Sequence, residues 1–405
     1  MENYSRAIKW LEERRTRILE GKTNCIPIPF KRMSYKFPGF EKKRYGIITA
    51  SQKVGKSKLV DYMLVYEPIF DIIEKNANYN LKILYFTLEM SKDDKFYDFL
   101  CHLLFKLDNI RMDTQELKSV SKKRILGEKE LELIKSDRYR NYIEKFQEIV
   151  TFIDDIKNPT GINKFCRDYA LSNGTLHKKV IQMKDSLTGE LKNIEVPDYF
   201  EWDDPECYYV IILDNFTNLT KESGYNKVEN IEKMSKYFVT LRDQLEYHIV
   251  AVQHQAQSQE GIENRKLNIL YPTTDGLGDC KMTSRDIDYI LGLFSPFKYR
   301  LEKFKGYDVT KFGKKLRFLF VLEDRHSGSG GDIYPLYFDG ASSVFYELPL
   351  PTEEAAMQKV YNFLESEEEI ERKKIHKSFI TYGIGKINKR IQGISLLDKV
   401  VSLFK

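Results

Sequence analysis

The sequence predicts an α/β fold: a mainly parallel, twisted sheet flanked by helices. Three observations predict it. Short apolar runs alternate with stretches of helical spacing along most of the chain. Several of these runs are apolar throughout, as in strands buried on both faces. And each of four such runs closes on a polar residue or a glycine-bearing loop, at the edge where open α/β sheets hold ligands.

In chain order, residues 2–20 read as a charged helix with Ile8, Leu11 and Ile18 on one stripe, stopped by Gly21. "TNCIPIPFKRMSYKFPGF" carries three prolines and reads as extended. "YGIIT" is a strand, and "KSKLVDYMLVYEPIF" a helix after a loop. "LKILYFTLEM" is the next strand, and "DKFYDFLCHLLFKL" an amphipathic helix. A charged helical stretch continues to about Gln147. "EIVTFIDD" is a strand and "GINKFCRDYALS" a helix. Residues 180–196 alternate about a Thr-Gly turn as a β-hairpin, an insertion at about 176–198. "CYYVIILDN" is a strongly apolar strand and "IEKMSKYFVTLRDQL" a helix. "HIVAVQH", "DIDYILGLF" and "KLRFLFVLEDR" are strands. After Pro351 the composition turns charged, then basic and amphipathic, so 351–405 is expected to be a helical basic tail docked on the main domain.

The totals fit one large domain with additions. The chain has 405 residues, 42% apolar, with a net charge of +5. That mild basic balance permits nucleic acid without requiring it. Five cysteines, at 25, 101, 166, 207 and 280, have no metal-site spacing, and their odd number argues against a disulfide framework. A reducing, cytoplasmic setting is expected, with no membrane partner, because the N-terminus lacks a signal peptide's apolar core and no apolar run is span-length.

The chemistry is carried by strand ends. "ASQKVGKS", Ala50, Ser51, Gln52, Lys53, Val54, Gly55, Lys56 and Ser57, lies between a strand and a helix, as a phosphate-binding loop must. Loop N–H groups and the helix N-terminus cradle phosphate oxygens. Lys56 would reach the β/γ-phosphates of ATP and Ser57 would hold Mg²⁺. Asp214 closes "YVIILD" where an acid can support Mg²⁺. Glu89 closes "ILYFTLE" where a carboxylate can deprotonate an attacking water. Gln253 or His254 closes a third strand, placed to sense a γ-phosphate. Together these indicate NTP hydrolysis.

The order of motifs resembles the C-terminal motor domain of DnaB-type replicative helicases, a RecA-like P-loop NTPase, over roughly residues 5–348. That family's loop commonly begins with Ala, as here. "YFTLEMS" resembles its S-L-E-M segment, "FIDDIKNPTGI" its I-D-D segment, and "VIILDNFTNL" its I-x-D-Y-L-x-L strand, with Asn215 for Tyr. The run from Tyr225 to Gln255, the segment "TTDGLGDCKMTSRDIDYILGLF" and "EDRHSGSGG" resemble the family's later motifs, and "CIPIPFKRMSYKFPGF" its opening one. The resemblance implies catalytic roles for Glu89, Asp214, His254 (or Gln253) and Arg325. Arg325 would be an arginine finger acting on a neighbouring subunit's ATP. It implies a homo-oligomeric ring, expected to be a hexamer, on single-stranded DNA, with Arg265, Lys266, Lys281 and Arg285 of the channel loops as DNA contacts. Glu323 stands where the family has lysine. Residues 1–24 resemble the family's linker helix, ahead of a motor at 25–350. The family's N-terminal primase-binding domain has no counterpart here, so primase or a loader would be recruited differently, if at all. That feature and a composition rich in Lys, Ile, Tyr and Asn suggest a phage-like source, acting in the host cytoplasm. A RecA-like recombinase and a non-unwinding, ATP-switched DNA-binding or loader protein are the alternatives.

Overall fold

The computed structural model describes residues 2–184, 191–256, 261, 264, 269–277, 284–366 and 369. A nine-stranded sheet organises them. Its strands are β1 (Tyr45–Ala50), β2 (Asn80–Thr87), β3 (Val150–Ile153), β4 (Cys207–Asp214), β5 (His248–His254), β6 (Tyr289–Phe294), β7 (Leu316–Asp324), β8 (Ile333–Asp339) and β9 (Val344–Glu347). Their order is β9-β8-β7-β6-β1-β5-β4-β2-β3. The six strands from β6 to β3 are parallel. Strands β7 to β9 add an antiparallel wing.

Alternation along each central strand feeds two cores. Ile48, Val210 and Ile212 join one apolar cluster, with Leu59, Phe99 and Phe146. Their neighbours Ile47, Ile211 and Leu213 join the other, with Ile162, Phe238 and Leu241. The first layer is built by α2 (Lys56–Asp61), α3 (Lys92–Asp108) and α4 (Asp137–Ile149). A π-helical turn, Tyr62–Tyr66, continues α2 into a further helix, Glu67–Glu74. The second layer is α5 (Pro159–Ser172) and α6 (Lys227–Leu245). Caps set the helix limits: Ser91 accepts from the Asp94 N–H to start α3, and Asn226 with Glu229 forms a capping box on α6.

The N-terminal helix, α1 (Glu2–Leu19), ends as expected, with Gly21 at φ +77°. Arg17 binds both oxygens of Glu206 at 2.6 and 2.7 Å, and Arg14 binds Glu41 at 2.6 Å. Its Trp10, Leu11, Ile18 and Leu19 stay exposed.

Two features differ from the sequence expectation. The hairpin is longer, pairing Gly174–Lys184 with Leu191–Trp202 around a bulge at His177/Lys178. Its root is welded to the core: Trp202 stacks on Tyr209 at 3.5 Å and its indole N–H donates to the Leu245 carbonyl at 3.1 Å. Strands β8 and β9 have no counterpart in the sequence reading; β8 holds Pro335, a residue that argues against a strand interior. Here the Pro335 carbonyl still accepts from Leu348 N–H. Residues 354–366 are helical, and Met357 and Leu364 are buried against the antiparallel wing. The start of the tail is thus part of the main body, and its remainder lies outside the described residues. Among the described residues no helix is long and apolar enough to cross a membrane. Cys101, Cys166 and Cys207 are buried free thiols.

Truncating the hairpin's root should cost far more than changing its arm. Trp202→Ala should destabilise the protein by about 3–5 kcal/mol in denaturant unfolding. Ile181→Ser, on the exposed arm, should stay within about 0.5 kcal/mol.

Candidate functional site

Four parallel strands deliver four polar groups to one edge. In the sheet register Ala50 lies beside His254, Thr87 beside Asp214, and Asp214 beside Val252, so the ends of β1, β5, β4 and β2 fall within two residues of one another. The segment Ser51–Gly55 leaves β1 and enters α2. Gly55 has φ +107°, and a Cβ there would approach the Phe338 ring at 3.1 Å. Only glycine takes that backbone and that space without strain. Lys53 is also left-handed, at φ +61°. Gln52 and Lys53 are exposed, Ser51 and Ser57 half-buried, and Val54 and Lys56 buried.

Two groups outside the loop hold it in shape. Arg317, buried on β7, donates to the Val54 carbonyl at 2.7 Å and lies over the Phe338 ring at 4.8 Å. Burial lowers its pKa to about 10. The Ser51 and Tyr299 hydroxyls are 2.6 Å apart.

Lys56 turns inward. Its ammonium donates to the Ser51 carbonyl at 3.3 Å and sits 2.9 Å from His254 Nδ1. Burial lowers the Lys56 pKa to about 8, against the opposing pull of Asp214 and Glu89. Burial, then Lys56, also lowers the pKa of His254, so its ring is neutral at neutral pH. On the far side of the ring, Nε2 lies 3.2 Å from the Asn215 amide nitrogen, which donates to Glu89 at 2.5 Å. Asn215 is oriented by its own oxygen, which accepts from the Thr217 N–H at 3.0 Å.

Lys56, His254, Asn215 and Glu89 thus form one continuous chain. A neutral imidazole has one donor and one acceptor nitrogen. His254 faces a donor on each side, so only one of its two contacts is a hydrogen bond at a time. Gln253 points elsewhere: its amide donates to the Leu277 carbonyl at 2.8 Å. Of the two sensor candidates, His254 is the one beside Lys56.

Asp214 is buried behind this chain. Its Oδ2 is 3.4 Å from both Lys95 Nζ and the Tyr85 hydroxyl. Its Oδ1 is buried with no hydrogen-bond partner. The described residues hold no cluster of three or more His, Cys, Asp or Glu arranged to hold a metal ion by themselves. Mg²⁺ fits that donor set, since it keeps waters and phosphate oxygens and takes only one or two protein oxygens. Ser57 and Asp214 are the residues that would supply them.

Arg325 is not part of this edge. β7 runs antiparallel to β6, so its end lies beside the start of the parallel strands: Asp324 pairs with Tyr289, and Tyr289 with Gly46. Four residues of strand, about 13 Å, separate that level from Ala50. Arg325 is exposed and its guanidinium donates to the Arg285 carbonyl at 2.5 Å. Arg285 is exposed, and Glu323 is half-buried at the end of β7. Arg265, Lys266 and Lys281 lie outside the described residues.

Asn215, Lys95, Asp61, Tyr85 and Arg317 escaped the sequence reading. Asp61 and Lys95 did leave a signal, as charges inside otherwise buried helix faces. Asn215 left one as a departure from the tyrosine of the resembled motif.

Neither a protein-family model nor a curated protein matches the sequence. Solved structures do match in shape. A DnaB-like replicative helicase, solved for its interactions with primase, aligns with a TM-score of 0.55 and 12% identity, over 81% of this chain and 64% of that one. A solved ATPase domain aligns with a TM-score of 0.57 and 13% identity, over 85% of this chain and 98% of its own. The chain therefore has the RecA-like fold of such ATPase domains, and spans under two thirds of the DnaB-like helicase.

The buried ammonium makes a stability prediction. The unfolded chain binds a proton at Lys56 up to its ordinary pKa of 10.5, the folded chain only to about 8. Stability therefore rises with pH between those values, and the penalty is full below about 8. Lys56→Met should raise the unfolding midpoint of the ligand-free protein at pH 7 by at least about 2 °C. Thermal unfolding across pH should show that gain shrinking above pH 8.

Proposed function

We propose that this chain is an ATP-hydrolysing DNA helicase motor. It works as a homo-oligomeric ring, expected to be hexameric, that moves along single-stranded DNA and unwinds duplex. The observation that carries this reading is the convergence of Lys56, Glu89, Asp214 and His254 on one edge of the sheet. The shape likeness to helicase-type ATPase domains supports it.

The loop from Ala50 to Ser57 binds the triphosphate through its N–H groups and the start of α2, and Lys56 neutralises the β/γ-phosphates. Ser57 and Asp214 would hold Mg²⁺, which would supply charge neutralisation for the triphosphate. Glu89 accepts the proton of the attacking water as its oxygen bonds to the γ-phosphorus and the bond to the bridging oxygen breaks. A phosphate that takes over Lys56 frees His254 Nδ1 from a competing donor. His254 then donates to the γ-phosphoryl from Nδ1 and accepts from Asn215 at Nε2. In this way the γ-phosphate is linked to Glu89 through Asn215.

Arg325, at the opposite edge, acts on the next subunit's ATP. Such an interface is head-to-tail and closes into a ring or extends into a filament. The exposed apolar residues of the N-terminal helix dock on the neighbouring motor. Single-stranded DNA is bound by the channel loops carrying Arg265, Lys266, Lys281 and Arg285, through salt-dependent phosphate contacts. Primase or a loader is a further partner. One observation favours a second reading, an ATP-switched loader that does not unwind: the Glu89 carboxylate is already engaged by Asn215.

Steady-state hydrolysis with and without single-stranded DNA tests the proposal. DNA should stimulate the wild type, and Arg325→Ala should lose about 10³-fold or more in kcat. Mixing Arg325→Ala with Lys56→Ala should restore part of the activity, because one variant's loop meets the other's finger. Hydrolysis indifferent to DNA and to Arg325 would remove the helicase reading.

A further inference from the structure

Lys95 is a buried side chain, at 2% exposure. Lysine is almost never buried without a partner. Its ammonium donates to Asp61 Oδ2 and Oδ1 at 2.8 and 3.1 Å, to the Tyr85 hydroxyl at 2.6 Å, and to Asp214 Oδ2 at 3.4 Å. Tyr85 in turn donates to Asp61 at 2.8 Å. Burial alone would lower the Lys95 pKa, but Asp61 and Asp214 outweigh it and raise it. Four elements meet here: α2 brings Asp61, β2 Tyr85, α3 Lys95 and β4 Asp214.

We propose that Lys95, itself held in place by the Tyr85 hydroxyl, is a positioning residue that anchors one oxygen of Asp214 from the core side and so presents the other to a divalent cation. The inference rests on reading this edge as a Mg²⁺–nucleotide site. The two oxygens of Asp214 are unequal. Oδ2 faces Lys95 and Tyr85, while Oδ1 is buried without a partner. A carboxylate held at one oxygen loses rotation about its last bond, which fixes the other. Outer groups that orient metal ligands commonly set affinity in this way.

The competing account is that Lys95 only neutralises Asp61, its closer carboxylate. Buried ion pairs of that kind are often replaceable by apolar residues without loss of stability. The experiment separates the two. Mn²⁺ binding to the full chain with saturating ADP is followed by electron paramagnetic resonance. The proteins are wild type, the double variant Lys95→Met/Asp61→Leu, and Tyr85→Phe. Metal-free ADP affinity and thermal unfolding are measured alongside.

The double variant should keep its fold and its metal-free ADP affinity, and bind Mn²⁺ about tenfold or more weakly. Tyr85→Phe should shift Mn²⁺ affinity in the same direction. Wild-type Mn²⁺ affinity in a folded double variant overturns the proposal. If the double variant does not fold, unchanged Mn²⁺ affinity in Tyr85→Phe overturns it instead. Failure of the wild type itself to bind Mn²⁺ with ADP would overturn the nucleotide-site reading first, and this inference with it.

Discussion

A parallel sheet covered on both faces leaves its polar chemistry only one kind of place to go. Most residues of β1, β2, β4 and β5 that point up or down meet an apolar layer, so ionisable groups favour the strand ends; Tyr85, which meets Asp61 and Lys95, departs from this pattern. Crossover helices run the strands in one direction, which collects their C-terminal ends at a single edge. Lys56, Glu89, Asp214 and His254 share that edge because of this constraint. The antiparallel wing obeys a different geometry. β7 reverses direction, and its closing arginine emerges at the other edge. The separation of Arg325 from the loop between β1 and α2 is therefore set by strand direction and not by loop placement.

Charge burial gives the site its character. Lys56, Arg317 and Lys95 are all buried, and they are compensated differently. Lys95 has carboxylates within reach, Arg317 has carbonyl and hydroxyl oxygens, and Lys56 has a carbonyl and a neutral imidazole. The Lys56 ammonium is the least well satisfied of the three. A group of that kind gains most from an arriving phosphate. His254, with donors on both sides, is likewise poised between two arrangements of protons.

Much of this was legible in the residues. The central strands stand out as continuous apolar runs because both faces are buried, and the closing carboxylates stand out because they interrupt them. "VGKS" between a strand and a helix identified the loop. The end of the N-terminal helix was legible from Gly21. The hidden parts depend on contacts across the sequence. Lys95 and Asp61 lie 34 positions apart, and each alone looks like an awkward charge on a buried helix face. β8 holds Pro335, whose missing N–H argues against a strand while its carbonyl still pairs. The edge occupied by Arg325 requires the direction of β7, which no local pattern encodes. Asn215 stood in plain sight, yet its hydrogen bond to Glu89 depends on how β2 and β4 lie side by side.

The central claim is that each ATP site is completed by a neighbouring subunit. The most direct measurement is ATPase activity per mole of subunit over a wide range of protein concentration, with sedimentation of the same samples. Shared sites predict specific activity that rises steeply with concentration and levels off as the oligomer forms. Specific activity independent of concentration, in samples that sediment as monomers, would contradict the account.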